Sequence, residues 1–152
     1  MMENKDCIFC KIAKGEIPSY KIYEDKNFIA FLDIFPNTRG MTLLIPKQHY
    51  DSYVFDMPDD VYKEFLLTAK KIGKLIDEKI NVTRTAMVTE GMGVNHAHIK
   101  LYPLHGIGKD FKAIIPEGNK YFEKYEGYLS TILGPKANDE DLNNVRNLFK
   151  EK

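Results

Sequence analysis

Apolar and polar residues alternate along this chain with two different periods, and the shorter period carries the chemistry. Residues 91–103 read Gly-Met-Gly-Val-Asn-His-Ala-His-Ile-Lys-Leu-Tyr-Pro. With period two, His96, His98, Lys100 and Tyr102 fall on one face, and Ala97, Ile99 and Leu101 on the other. That is the pattern of a half-buried strand, apolar toward a core and polar toward an open side. Residues 56–80 follow the helical period instead: Val61, Phe65, Ala69, Ile72, Ile76 and Ile80 recur at spacings of three and four, largely with lysines between them. The pattern predicts one long helix packed on a sheet face, with Asp56 and Pro58 as its start signal and Asp59 and Asp60 in its first turn.

Shorter patterns fill in the rest. Residues 19–24 and 28–32 predict two strands around the turn Asp25-Lys26-Asn27. Residues 41–45 form a strongly apolar strand closed by Pro46, which puts His49 just past its end. Residues 12–15 predict a helical turn ended by Gly15, residues 85–89 a short strand, and residues 90–93 a tight glycine loop. Tyr121, Phe122, Tyr125 and Tyr128 have helical spacing and predict a stripe packed in a core or an interface. Gly134-Pro135 breaks the chain, and Asn138 or Asp139 can cap a closing helix through about Phe149. There is no internal repeat, low-complexity tract or linker.

At 152 residues the chain reads as one domain, with a core of about residues 7–104 and a C-terminal extension of about 105–152. Twenty-two basic and 22 acidic residues cancel, which argues against general attraction to nucleic acid or to an anionic membrane. Any phosphate binding must therefore come from a local site. No apolar run approaches the ~20 residues of a membrane span. The polar start, residues 1–5, leads into no signal-peptide core, and two cysteines in such a chain point to a reducing compartment, the cytoplasm by default.

The candidate chemistry is concentrated in a few places. Two imidazoles and an ammonium on one pleated face suit an anion or a metal, and the glycines before them let the backbone approach a ligand closely. We read this strand as the working edge of a nucleotide phosphate site. Cys7-Ile8-Phe9-Cys10 places two thiolates where one tetrahedral ion can take both, though a pair of small buried hydrophobes or a redox pair fits equally. Asp33 ends a strand beside a loop of Pro36, Asn37 and Gly40, where turn capping is the commoner role and a ribose diol the alternative. His105, in a glycine-rich turn, reads as an exposed loop histidine.

Taken in order, Cys7-x-x-Cys10, Phe31-Leu32-Asp33, residues 40–49 (Gly-Met-Thr-Leu-Leu-Ile-Pro-Lys-Gln-His) and His96-x-His98 resemble the histidine triad (HIT) family. The resemblance implies an α+β fold: an antiparallel sheet of about five strands, one long helix and a C-terminal helix, normally in a homodimer. It implies a purine nucleotide as substrate and His98 as the nucleophile, whose Nε2 attacks the α-phosphorus to form a nucleotidyl-histidine that water resolves. A backbone carbonyl would hold the proton on the other ring nitrogen. The resemblance places Asp33 at the ribose hydroxyls, and Phe9, Phe31 and Ile34 around the base. Gly91 and Met92 fall in the phosphate loop. It also implies a structural zinc on Cys7, Cys10, His49 and His96, a closed tetrahedral donor set.

The departures bear on activity. Lys100 takes the third histidine position, and a lysine, with a reference pKa of ~10.4, is a poor proton shuttle at pH 7. Met41 replaces a usual histidine, Met92 a usual glutamine, and Glu90 lies near a usual asparagine, where an acid repels an anionic ligand unless paired. These changes predict weak turnover or a shifted substrate, with a nucleotide-binding protein of little or no catalysis as the alternative. Outside the resemblance, His96 and His98 could be two ligands of an open catalytic metal, completed by Glu90 or His105.

Overall fold

Two uninterrupted apolar strands, β2 (Phe28–Leu32) and β3 (Thr42–Pro46), form the middle of the molecule, buried almost throughout because both of their faces are covered. The computed structural model describes residues 6–130, 135–140, 142 and 144, and the chain divides into two units, Met1–Phe111 and Lys112–Lys152. In the first unit a helix, α1 (Ile8–Ala13), precedes β1 (Lys21–Glu24), β2 and β3. A 3-10 turn (Val54–Asp56), the long helix α2 (Asp59–Ile80), β4 (Thr85–Val88) and β5 (Ile99–Pro103) follow. The five strands make one antiparallel sheet in the order β1-β2-β3-β5-β4. The expected α+β architecture is the observed one.

Each face of the sheet has its own core. On one, Phe28, Ala30, Leu44, Ala97, Ile99 and Leu101 pack against Phe65, Ala69, Ile72 and Ile76, the apolar stripe of α2. The Phe28 and Phe65 rings stack with centroids 5.5 Å apart. Asn81 ends α2 in the left-handed conformation that a short polar side chain tolerates. On the opposite face Ile29, Phe31, Leu43 and Ile45 pack against Cys7, Phe9 and Cys10 of the N-terminal segment.

The β1–β2 turn forms as predicted. Asp25 Oδ1 accepts the backbone N–H groups of Asn27 and Phe28, at 2.8 and 2.7 Å. Three local expectations change. First, α1 starts at Ile8, not near residue 12, because the Cys7 carbonyl already accepts the Lys11 N–H; Gly15 ends it at φ 77°. Second, the histidine strand starts only at Ile99. The N–H of His96 donates to Val94 O and that of Ala97 to Tyr50 O, so these amides serve the loops instead of a neighbouring strand. Third, its polar face is not open: His96 and His98 are 0% and 3% exposed.

In the second unit Tyr121, Phe122, Tyr125 and Tyr128 form no helical stripe. Gly127, between Tyr125 and Tyr128, takes positive φ and breaks a helical path there, and three of the four aromatics are exposed. Phe122 meets Tyr128 edge to face at 5.2 Å. The closing helix is present at Asp139, Glu140, Leu142 and Asn144; the rest of its expected span lies outside the described residues.

The two sides of α2 predict opposite responses. Ile72 is fully buried and Leu67 is 66% exposed. Ile72→Ala should lower unfolding free energy by about 2–5 kcal/mol in urea titrations, and Leu67→Ala should leave it within about 0.5 kcal/mol.

Candidate functional site

Three separate stretches bring thiols and imidazoles together. Cys7 and Cys10 come from the start of α1, His49 from the loop after β3, and His96 from the bend before β5. One ligand atom from each lies within 4.8 Å of all the others. His96 Nδ1 is 3.4 Å from Cys7 Sγ and 3.5 Å from Cys10 Sγ, and His49 Nδ1 is 3.3 Å from Cys10 Sγ. A tetrahedral ion with bonds of ~2.3 Å to sulfur and ~2.0–2.1 Å to nitrogen needs S···N separations of about 3.5 Å. The residues present therefore fit a closed metal site.

The donors around this cluster fit as well. His96 Nε2 lies 2.9 Å from the Pro46 carbonyl, which can only accept, so Nε2 carries the proton and Nδ1 presents its lone pair to the thiols. Burial pushes the His96 pKa down to about 4, with the Pro46 bond opposing it, which keeps the ring neutral as ligation requires. His49 Nε2 is 3.5 Å from Asp51 Oδ1, which also accepts Asn95 Nδ2–H at 3.1 Å. Asn95 Oδ1 in turn accepts the Ser52 N–H.

His98 stands two residues beyond, under the Phe9 ring with centroids 5.4 Å apart and edge-on geometry. Its Nδ1 is 2.7 Å from the His96 carbonyl. Since that oxygen only accepts, Nδ1 holds the proton and Nε2 is bare. Among the described residues Nε2 makes no hydrogen bond, and every fully buried side-chain nitrogen or oxygen has a partner, so Nε2 opens to the surface. Burial lowers the His98 pKa, against the His96 carbonyl, which raises it. A neutral imidazole with an exposed, unprotonated nitrogen is a competent nucleophile.

The sheet register arranges the neighbours of His98 in rows. Phe31 pairs with Leu43, Leu43 with Lys100, and Lys100 with Val88. Lys100 therefore shares a face with His98 and lies next to the buried Leu43, with Phe31 one strand further along the row. Lys100 Nζ is 3.2 Å from Glu90 Oε1, so the acid that would repel an anion is paired. Asp33 also acts electrostatically on His98, and its Oδ1 accepts the Phe35 N–H at 2.7 Å, the turn-capping bond. Ile34 and Met92 stand out in solvent. Gly91, at φ 75°, makes a close backbone approach, but to the chain itself: a Cβ there would lie 2.8 Å from Ser52 O. His105 is exposed and bonded to the Arg39 carbonyl. Neither His98, Glu90 nor His105 belongs to a metal-type cluster among the described residues, so the open catalytic metal finds no further ligand.

Asp51, Asn95 and the Glu90–Lys100 pairing carry no sequence signal of their own; only the fold brings them to the site. The cluster predicts zinc uptake in titrations against a competing chelator, lost in Cys10→Ser. Asp51→Ala should weaken the affinity by about 10- to 100-fold, because it frees the imidazole of His49 to rotate.

Comparison with known proteins fits this geometry. Residues 14–110 match the family model of the HIT domain. Protein hit of Bacillus subtilis is 37% identical over 115 residues, covering 72% of this chain and 79% of that protein. The adenosine 5'-monophosphoramidase HNT1 of Saccharomyces cerevisiae is 40% identical over 98 residues, 64% of this chain and 61% of that enzyme. A crystal structure of a HIT family member from Bacillus subtilis superposes with a TM-score of 0.66 at 30% identity, covering 96% of each chain. A Cys/His cluster tied through His96 to a buried histidine with one bare nitrogen thus sits on a matching fold and a matching sequence, and the chain belongs to the HIT domain family.

Proposed function

We propose that this chain is a nucleotide hydrolase or nucleotidyl transferase that cleaves at the α-phosphate of a purine nucleotide, through a nucleotidyl-histidine on His98. The observation that carries the reading is the 2.7 Å bond from His98 Nδ1 to the His96 carbonyl, which leaves Nε2 bare. Nε2 attacks the α-phosphorus as the bond to the leaving group breaks. The leaving group departs with the bonding pair and, if it is an amine, with a proton that the Lys100 ammonium can donate. Nδ1–H stays on the His96 carbonyl, which stabilises the charge the ring acquires. Water then attacks phosphorus, His98 leaves with its pair, and the proton lost by the water returns to Lys100.

The remaining roles follow position. Asp33 has one carboxylate oxygen committed to the Phe35 N–H and offers the other to the ribose diol. Phe9, Phe31 and Ile34 line the base, Gly91 and Met92 border the phosphates, and Lys100 holds a phosphoryl oxygen. Cys7, Cys10, His49 and His96 would hold a structural zinc that ties the N-terminal segment to the bend before His98. The yeast relative's name, a monophosphoramidase, supports an adenosine phosphoramidate among the substrates.

A homodimer fits the outer edge of β4, at one end of the sheet and without a further strand among the described residues, and the exposed Met87 in a cleft of about 520 Å³ between α2 and β4. A cytoplasmic setting suits two free buried thiols. No helix among the described residues is long and apolar enough to cross a membrane. The second reading, nucleotide binding with weak catalysis, draws on Glu90, which already occupies Lys100.

Adenosine 5'-phosphoramidate hydrolysis tests both. Wild-type protein should turn it over, and acid quenching should trap a nucleotidyl adduct by intact mass. His98→Ala should lose about 10³-fold or more in kcat/KM and the adduct with it. Lys100→His should raise kcat by up to ~10²-fold, because a histidine exchanges protons near pH 7. Binding without turnover in both proteins would support the second reading.

A further inference from the structure

We propose that Tyr102 reads the sugar: its phenol hydroxyl hydrogen-bonds the ribose diol across the site from Asp33, and so favours ribonucleotides over their deoxy counterparts. The reading rests on the nucleotide site proposed at His98. Residues of β5 alternate between the two faces, and Leu101 belongs to the core on α2, so Tyr102 points to the other side with Lys100. Its row across the sheet follows from the register. Thr42 pairs with Leu101 on one side and with Leu32 on the other. One residue earlier on the same strand, Met41 therefore stands between Tyr102 and Asp33, and the Asp33 N–H donates to the Met41 carbonyl at 3.0 Å. The two chains stay in step beyond this point, since a Cβ on Gly40 would lie 3.3 Å from Pro103 Cγ.

Met41 is buried and apolar, so it forms the floor of this row, with Asp33 and Tyr102 as polar groups on either side. Two strand spacings of about 4.8 Å separate these two residues, a gap that their side chains and one sugar can bridge. The chemistry of the pair is complementary. The Asp33 carboxylate can only accept, and one of its oxygens already takes the Phe35 N–H. A ribose hydroxyl that donates to the other oxygen keeps lone pairs of its own, which call for a donor. Tyr102 can supply it. Burial pushes the phenol's pKa up, against Lys100, so the hydroxyl keeps its proton, and Asp33 and Glu90 also act on it from within the site. Among the described residues that hydroxyl makes no hydrogen bond, and every fully buried side-chain nitrogen or oxygen has a partner, so the phenol opens to the surface. Lys100, one row away, is engaged with Glu90 instead.

If Tyr102 merely packed the end of the strand, its hydroxyl would be indifferent to the sugar. Adenosine 5'-monophosphate and its 2'-deoxy and 3'-deoxy analogues separate the two roles, because they differ only in the diol and carry no leaving group to be cleaved. Their dissociation constants are measured by calorimetry on the wild-type protein and on Tyr102→Phe, which removes a single oxygen. Tyr102→Phe should weaken the ribonucleotide by about 10-fold, and should leave the analogue that lacks the hydroxyl held by Tyr102 within about 2-fold of its wild-type value. The melting temperature of Tyr102→Phe should match that of the wild type, since the hydroxyl has no partner among the described residues. Equal weakening of all three ligands would assign the phenol to the base, the phosphate or the packing of the loop, and no weakening would leave it without a ligand. Either result would overturn the proposal with the nucleotide reading intact. No binding of any of the three by the wild-type protein would remove the nucleotide reading and the proposal together.

Discussion

The site depends on one hydrogen bond, from His98 Nδ1–H to the carbonyl of His96. An imidazole offers two nitrogens but carries its single neutral-state proton on only one, and the bond decides which. The carbonyl is itself well placed, because His96 is held from several sides. Its Nε2–H donates to Pro46, its Nδ1 faces two thiols, its own N–H goes to Val94, and the next N–H to Tyr50. Moving that carbonyl would disturb all of these. The cluster of Cys7, Cys10, His49 and His96 and the His98 ring are therefore one mechanical unit, and the Cys-x-x-Cys segment serves a residue 88 to 91 positions further along the chain.

The sheet divides labour between its faces. The face on α2 is mainly apolar and holds the strands in place through Phe28, Leu44, Ile99 and Leu101. The other face shifts from apolar on β2 and β3 to polar at the start of β5 and along it, where His98, just before the strand, is followed by Lys100 and Tyr102. Phe9 bridges the two parts, with ring contacts to Phe31, His96 and His98. Covered in this way, His98 is desolvated enough to stay neutral yet keeps one nitrogen at the surface. Tyr102, its phenol pushed up by burial, stays a neutral hydroxyl at the far end of the same row.

Much of this was legible in the sequence. The helical stripe from Val61 to Ile80 and the apolar runs of β2 and β3 fall where the periods place them, since burial of these residues sets the fold itself. The alternation of His96 to Tyr102 assigned the correct inward residues, Ala97, Ile99 and Leu101. It misjudged the outward side as open, because alternation within a strand says nothing of a distant segment that covers it, here Phe9. Glu90 shows the same boundary. From sequence it is an unexplained acid near a phosphate loop; only the β4–β5 register brings it to Lys100. Asp51 and Asn95 are ordinary loop polar residues until the bend at residues 93–96 brings them to His49. The aromatic spacing from Tyr121 to Tyr128 misled because spacing alone creates no helix across Gly127.

The most direct measurement is the tautomer of His98 in the folded protein, read from the nitrogen chemical shifts and couplings of its labelled imidazole ring at neutral pH. A neutral ring with the proton on Nδ1 and a bare Nε2 is the predicted result. A proton found on Nε2, or a charged ring at neutral pH, would contradict the account, because the nitrogen assigned to meet phosphorus would have no lone pair to offer.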